Sequence, residues 1–146
     1  TYGGRNKNMD LIIPNGIPQS VEFINGNFVF IPKLIFQKIG VISKFYTHNY
    51  GDVDYGLRAI KNGFGVFISS EFVGVCDSNN LERWRSSKVN FIERVISYKK
   101  SKNVNLLEII YFQYKHFGLF RLFKYLLGTL TILISPKLYN SLSKNL

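Results

Sequence analysis

A helix that stops on a glycine and runs straight into an apolar strand constrains this chain more than any other stretch of it. In Tyr50-Gly51-Asp52-Val53-Asp54-Tyr55-Gly56-Leu57-Arg58-Ala59-Ile60-Lys61-Asn62-Gly63-Phe64 the spacing predicts a helix beginning near Asp52. Val53, Leu57 and Ile60 share its apolar face, and Gly63 is the residue just past its end. Phe64 to Ser69 follows directly and reads as a strand. A strand-like run and a helix also precede the acidic turn, so this part of the chain reads as α/β.

The mouth of that helix holds two carboxylates. Asp52 is placed to satisfy free N–H groups of the first turn, where negative charge suits the helix dipole. Asp54 and Arg58 form an i,i+4 pair. Both features have an ordinary structural reading, a helix cap and a surface ion pair. Asp52 has a chemical one as well, because a positioned carboxylate is what general-base catalysis needs.

Upstream, Asn25-Gly26-Asn27-Phe28-Val29-Phe30-Ile31-Pro32 reads as a turn and a strand, and Lys33-Leu34-Ile35-Phe36-Gln37-Lys38-Ile39-Gly40 as a helix closed by glycine. Together with the acidic turn, the Leu57-Arg58 helix and the strand after it, this order over Asn25 to Asp77 resembles the second half of family 2 glycosyltransferases, of the GT-A fold. The resemblance implies a partial GT-A domain over residues 1–80. It implies Asp52 as the base that deprotonates an acceptor hydroxyl in an inverting transfer from a nucleotide-diphospho-sugar. Gly26, Asn27, Tyr50, Gly51 and Asp54 are the expected substrate-side positions; His48, just before the acidic turn, is a further candidate, although a lone loop histidine more often does nothing. Gly51 stands where a Glu is common in the family, so the acidic pair is reduced, and Asp54 sits where many members carry a second acid.

Cys76 lies where many relatives have a His that helps hold the metal, although a lone cysteine is equally a small hydrophobe. The family's nucleotide-binding half is not among these residues, and the one Asp-x-Asp in the chain, Asp52-Val53-Asp54, lies in the wrong place for that half's metal-binding motif. The resemblance therefore implies Mg or Mn for the full-length enzyme, no metal in this fragment, and no turnover by the fragment alone. A start at Thr1 without an initiator Met reads as an excised or processed piece. One cysteine excludes an internal disulfide framework and fits a reducing compartment.

Charge divides the chain. Residues 1–80 carry 7 basic and 6 acidic side chains, residues 81–146 carry 12 and 3, and the net charge is +10. Residues 81–146 are read as a basic helical tail, with helices over Leu81 to Lys100, Asn105 to Phe117 and Phe120 to Ile134, and Pro136 as a stop. Basic helices rich in Phe, Tyr and Leu suit an anionic membrane surface. Arg121 and Lys124 argue for lying on a bilayer rather than crossing it. The bland alternative is a helical cap, or a homodimer formed through the tail. Nucleic acid is disfavoured as a partner, because the basic residues sit on helices with long apolar faces and no RNA-binding sheet signature appears.

At the start of the tail, Asn80-Leu81-Glu82-Arg83-Trp84 is similar to the Gln-x-x-Arg-Trp element of processive polysaccharide synthases. That similarity implies Trp84 stacked on an acceptor sugar and Arg83 on diphosphate. Trp84 could equally plug the tail onto the α/β core. The leading expectation is the acceptor-side half of a bacterial polysaccharide glycosyltransferase, cytoplasmic and peripheral to the inner membrane, acting on a nucleotide-sugar donor and a glycan or lipid-linked acceptor. The alternative is a non-catalytic membrane-associated or oligomerising domain.

Overall fold

The structure is a computed structural model that describes residues 3–47, 49–75 and 82–143. His48, Cys76, Asn80 and Leu81, each singled out above, lie outside the described residues. Among the described residues the chain is mixed α/β and helix-rich, 51% helical with five α-helices and one two-stranded sheet. It divides into two compact units, Thr1–Ser78 and Asn79–Leu146.

In the first unit, β1 (Gln19–Ser20) pairs antiparallel with β2 (Phe67–Ile68), Gln19 opposite Ile68 and Ser20 opposite Phe67. Irregular pairing widens this ribbon. Val21 donates to the Val66 carbonyl at 3.0 Å, and Arg5 bridges both Leu11 and Phe23. Helix α1 (Lys33–Ile39) ends at Gly40, and α2 (Gly51–Lys61) ends at Asn62, followed by Gly63 at φ 84°. Both helices stand where the spacing puts them. Among the described residues the apolar core of the unit consists of Val21, Tyr46, Tyr55 and Ala59.

Not every strand expectation holds, and the one over Phe64 to Ser69 is met only at Phe67–Ile68. Phe28 to Ile31 forms no strand, and Phe28 and Phe30 are 75% and 83% exposed. Glu71 to Val75 is likewise unpaired and exposed. Val21 to Ile24 lies just past β1 and carries only the isolated bridge of Phe23 to Arg5. Apolar, β-branched and aromatic runs mark segments that fit a sheet, but a strand exists only where a partner lies alongside. Among the described residues Phe28 to Ile31 has none.

The second unit is helical. A 3₁₀ turn (Arg83–Arg85) precedes α3 (Phe91–Lys100), α4 (Leu106–Ile134) and α5 (Pro136–Ser143). The first tail helix is therefore ten residues long rather than starting at Leu81. Its start is fixed by Asn90, whose Oδ1 accepts from the Glu93 N–H at 2.9 Å while its amide donates to Glu93 Oε1 at 3.3 Å. Asn105 and Glu108 repeat this arrangement at the start of α4. Each Asn-x-x-Glu satisfies first-turn N–H groups that have no intrahelical acceptor. Pro136 is not only a stop. It opens α5 as its first residue, where the missing N–H costs nothing, and the Leu138 N–H donates to Ser135 Oγ at 3.3 Å.

Gly118 interrupts α4 at φ 79° and ψ 179°, between the two segments the sequence separates. Trp84, Ile109, Phe112 and Ile132 are buried in this unit, Ile109 almost completely. Burial raises the Tyr98 phenol above its ordinary pKa, and Tyr125 adds to the shift. The ring's contribution to folding is thus retained below the ordinary tyrosine range and lost as pH climbs through it.

Arg94 ties α3 to the end of α4. It is 8% exposed, and its guanidinium donates to the carbonyls of Leu133 at 2.9 Å, Ile134 at 3.1 Å and Val89 at 2.9 Å. Leu133 and Ile134 belong to the last turn of α4, whose carbonyls lack intrahelical donors and carry the negative end of the dipole. Arg94→Met should lower the stability of the helical unit by roughly 2–3 kcal/mol, because three carbonyls lose the charge-assisted bonds they now receive. Urea unfolding followed by far-UV circular dichroism measures it, and a midpoint unchanged from the parent would refute the role.

Candidate functional site

The acidic turn is built on a buried ion pair. Asp54 is fully buried, and its Oδ2 receives Arg58 Nε at 2.9 Å across one turn of α2. The Tyr46 hydroxyl donates to Oδ1 at 3.2 Å. Arg58 then reaches back to the end of α1, donating to the carbonyls of Ile39 at 2.6 Å and Val41 at 2.9 Å, and it lies over the Tyr55 ring. A pair that the sequence allows as surface decoration is therefore an internal clamp between α1 and α2. Asp54 offers no oxygen to a substrate in this arrangement, which corrects its place on the substrate side.

Asp52 stands differently. It is half-buried in the first turn of α2, and its Oδ2 accepts from the Gly26 N–H at 2.6 Å. Its Oδ1 accepts from the Val53 N–H at 2.8 Å. The N-cap residue is Tyr50, which makes no side-chain cap, so Asp52 serves the first turn from inside it rather than from in front. An ionised carboxylate offers about four lone-pair positions. Two backbone donors leave each Asp52 oxygen able to accept once more, which is the capacity a base needs.

Two glycines let the Ile24–Gly26 turn lie on α2. A Cβ at Gly26 would stand 3.0 Å from both Cβ and Oδ2 of Asp52, and one at Gly56 would stand 3.1 Å from Ile24 Cγ1. Asp52 and Gly56 are one helical turn apart, so the turn docks along a single edge of the helix. Gly26 and Asp52, which the resemblance puts at one acceptor site, are in direct contact. Gly56, Ile24 and Tyr46 are participants that the sequence reading missed. The i,i+4 spacing of Gly56 from Asp52 was the available signal, whereas nothing local marks Tyr46.

Tyr50 immediately precedes the helix at φ 65° and ψ −13°, a left-handed conformation that costs a non-glycine residue on the order of 1 kcal/mol. Its carbonyl accepts from the Asp54 N–H at 2.7 Å. At Gly51 a Cβ would come within 3.1 Å of Ile42 Cγ2. Gly51 is thus a position that Ile42 crowds. Asn27 lies beside Gly26, its N–H bonded to Asn25 Oδ1 at 3.1 Å.

Among the described residues no three of His, Cys, Asp and Glu come together as a divalent cation would require. Asp54 is held by Tyr46 and Arg58, so the two carboxylates of the turn do not make a metal site. A hollow of about 440 Å³ in the same unit is lined by Asn6, Lys7, Asn8, Ser20, Val21 and Glu22, none of them an expected site residue.

Trp84 and Arg83 belong to the helical unit. Trp84 is 4% exposed, packed edge-on against Tyr98 at 5.1 Å, with the Arg85 guanidinium 4.6 Å from its ring centre. With its ring enclosed it presents no face to a sugar, which corrects the stacking expectation in favour of packing. Among the described residues its buried indole N–H has no partner. Arg83 is exposed and paired with Glu93 at 3.0 Å.

Comparison with protein-family models, with curated proteins and with solved structures returns no match.

The two aspartates should separate cleanly by stability. Asp54→Asn breaks a buried pair and should cost about 3–5 kcal/mol. Asp52→Asn, whose amide oxygen can still accept from Gly26, should cost no more than about 1 kcal/mol. Chemical unfolding of both variants measures this, and equal losses would overturn the division of labour.

Proposed function

We propose that the chain is the acceptor-side half of a glycosyltransferase that moves a sugar from a nucleotide-diphospho-sugar to a hydroxyl of a glycan or lipid-linked acceptor. The single observation that carries this is the contact between Gly26 and Asp52 at 2.6 Å. Twenty-six positions apart in sequence, these are the turn and the carboxylate that such an acceptor site requires together. Gly26 is exposed beside a half-buried Asp52, so the junction is open to a ligand.

In this reading Asp52 takes the proton of the acceptor hydroxyl as its oxygen attacks the anomeric carbon and the nucleotide diphosphate departs from the opposite face, with inversion. The Asp54–Arg58 clamp fixes the helix that carries the base. Gly26 and Asn27 bound the acceptor side. The strained Tyr50 supports the assignment, since left-handed non-glycine residues concentrate at functional turns. The donor half of a GT-A fold, with Mg or Mn, would come from outside these residues. The setting is bacterial polysaccharide synthesis on the cytoplasmic face of the inner membrane, with peripheral attachment. Leu106–Ile134, long and apolar enough to cross a membrane by length and composition, supports membrane association but neither its side nor its depth.

In the enzyme that carries both halves, Asp52→Asn should lower kcat by about a hundredfold or more, as loss of a general base does. Gly26→Ala should lower it as well by displacing the carboxylate. Steady-state nucleotide release with a soluble acceptor is the measurement, and wild-type turnover in Asp52→Asn would remove the residue from its role.

A further inference from the structure

The second part of α4, after Gly118, leaves an uncovered apolar face. Phe120, Phe123, Leu127, Leu130 and Ile134 recur at spacings of three and four, and each is at least half exposed, Leu127 by 53%. Leu119 and Leu126 widen the stripe. At about 100° per residue these side chains fill an arc of roughly 120° that contains no polar residue, with Thr131 and Lys124 along one border. Only 6% of the most apolar eighteen-residue window of α4 is buried within the protein.

Charge identifies what covers this face. Residues 81–146 carry 12 basic and 3 acidic side chains. The acids are already engaged: Glu82 by Ser101 and Asn103, Glu93 by Arg83, and Glu108, which is buried, by Asn105. Arg121 and Lys124 are exposed on the same helix segment as the apolar stripe. A second copy would bring an equal excess of positive charge against the first. An apolar arc this wide also exceeds the two-position seam of paired helices. An anionic lipid surface satisfies both the charge and the hydrocarbon.

The kink sets the depth. Leu106–Phe117 and Leu119–Ile134 are roughly 18 Å and 24 Å long, each short of the ~30 Å hydrocarbon core. Gly118 lies outside helical geometry between them. We infer that Leu119–Ile134 lies in the plane of one anionic leaflet, its Phe120–Ile134 stripe among the acyl chains and Lys124 at the headgroups, without crossing the bilayer. This rests on the peripheral-membrane part of the function proposed above and is independent of its chemistry.

The test is flotation of the intact chain with vesicles of phosphatidylglycerol in phosphatidylcholine, against phosphatidylcholine alone. The chain should float with the anionic vesicles, Leu127→Glu should reduce the bound fraction at least about tenfold, and Lys124→Glu should weaken binding at low salt. Phe123→Ser, at a second exposed position, should weaken it too. Binding that ignores both apolar substitutions overturns the inference while leaving membrane attachment standing. Failure of the parent chain to bind either vesicle overturns both. In a Cys76→Ser background, single cysteines at Leu107 and Leu138 should both react with an impermeant thiol reagent outside sealed vesicles. Protection of one of them means a crossing helix and overturns the in-plane placement. A dimer in solution that Leu127→Glu dissociates, with no vesicle binding, gives the face to a second copy instead. Asp52→Asn should float like the parent, so turnover and attachment fail separately.

Discussion

The Arg58 guanidinium is the interaction on which the first unit depends. One side chain satisfies a fully buried carboxylate, two backbone carbonyls at the end of α1, and the face of Tyr55. Removing a charge from water is tolerable only when such partners replace the solvent. The unit has few buried apolar residues, so this polar knot supplies order that a larger core would otherwise give. Everything placed at the mouth of α2 inherits its position from it. Asp52 is half-buried and bonded only to backbone because Asp54, two residues on, has taken the structural role.

This division explains what was legible in the sequence. Helices α1 and α2 were readable because their signals are local: apolar spacing, and Gly40 and Gly63 just past their ends. Gly26 and Asp52 could be linked through a resemblance, but their contact depends on Gly26 and Gly56 being small enough for a turn to lie on the helix, a property of two distant segments. The roles of the two aspartates were not separable by eye, since both sit in the first turn and only burial distinguishes them. The strand expectations failed for a related reason. Phe28 to Ile31 has the composition of a strand and no partner among the described residues, and pairing is non-local.

In the helical unit the missed boundary had a readable signal. Asn90-Phe91-Ile92-Glu93 and Asn105-Leu106-Leu107-Glu108 are the same capping pattern, and applying it twice places both helix starts. Pro136 illustrates that one residue can end a helix and begin the next when a serine precedes it. The enclosure of Trp84 was not deducible, because an indole fits a core and a sugar platform equally well until its neighbours are known. The apolar face of α4 was visible as periodicity, but its exposure only emerged once α3 and α5 were seen to leave it uncovered.

The enclosed indole also gives the chain an optical asymmetry. Trp84 is the sole tryptophan, and it lies in the helical unit against Tyr98. Its intrinsic emission, excited at the red edge of the absorption band, therefore reports on that unit alone, while the region holding Asp52 is dark at the same wavelength. Any loss of the packing around Arg94 would shift this emission.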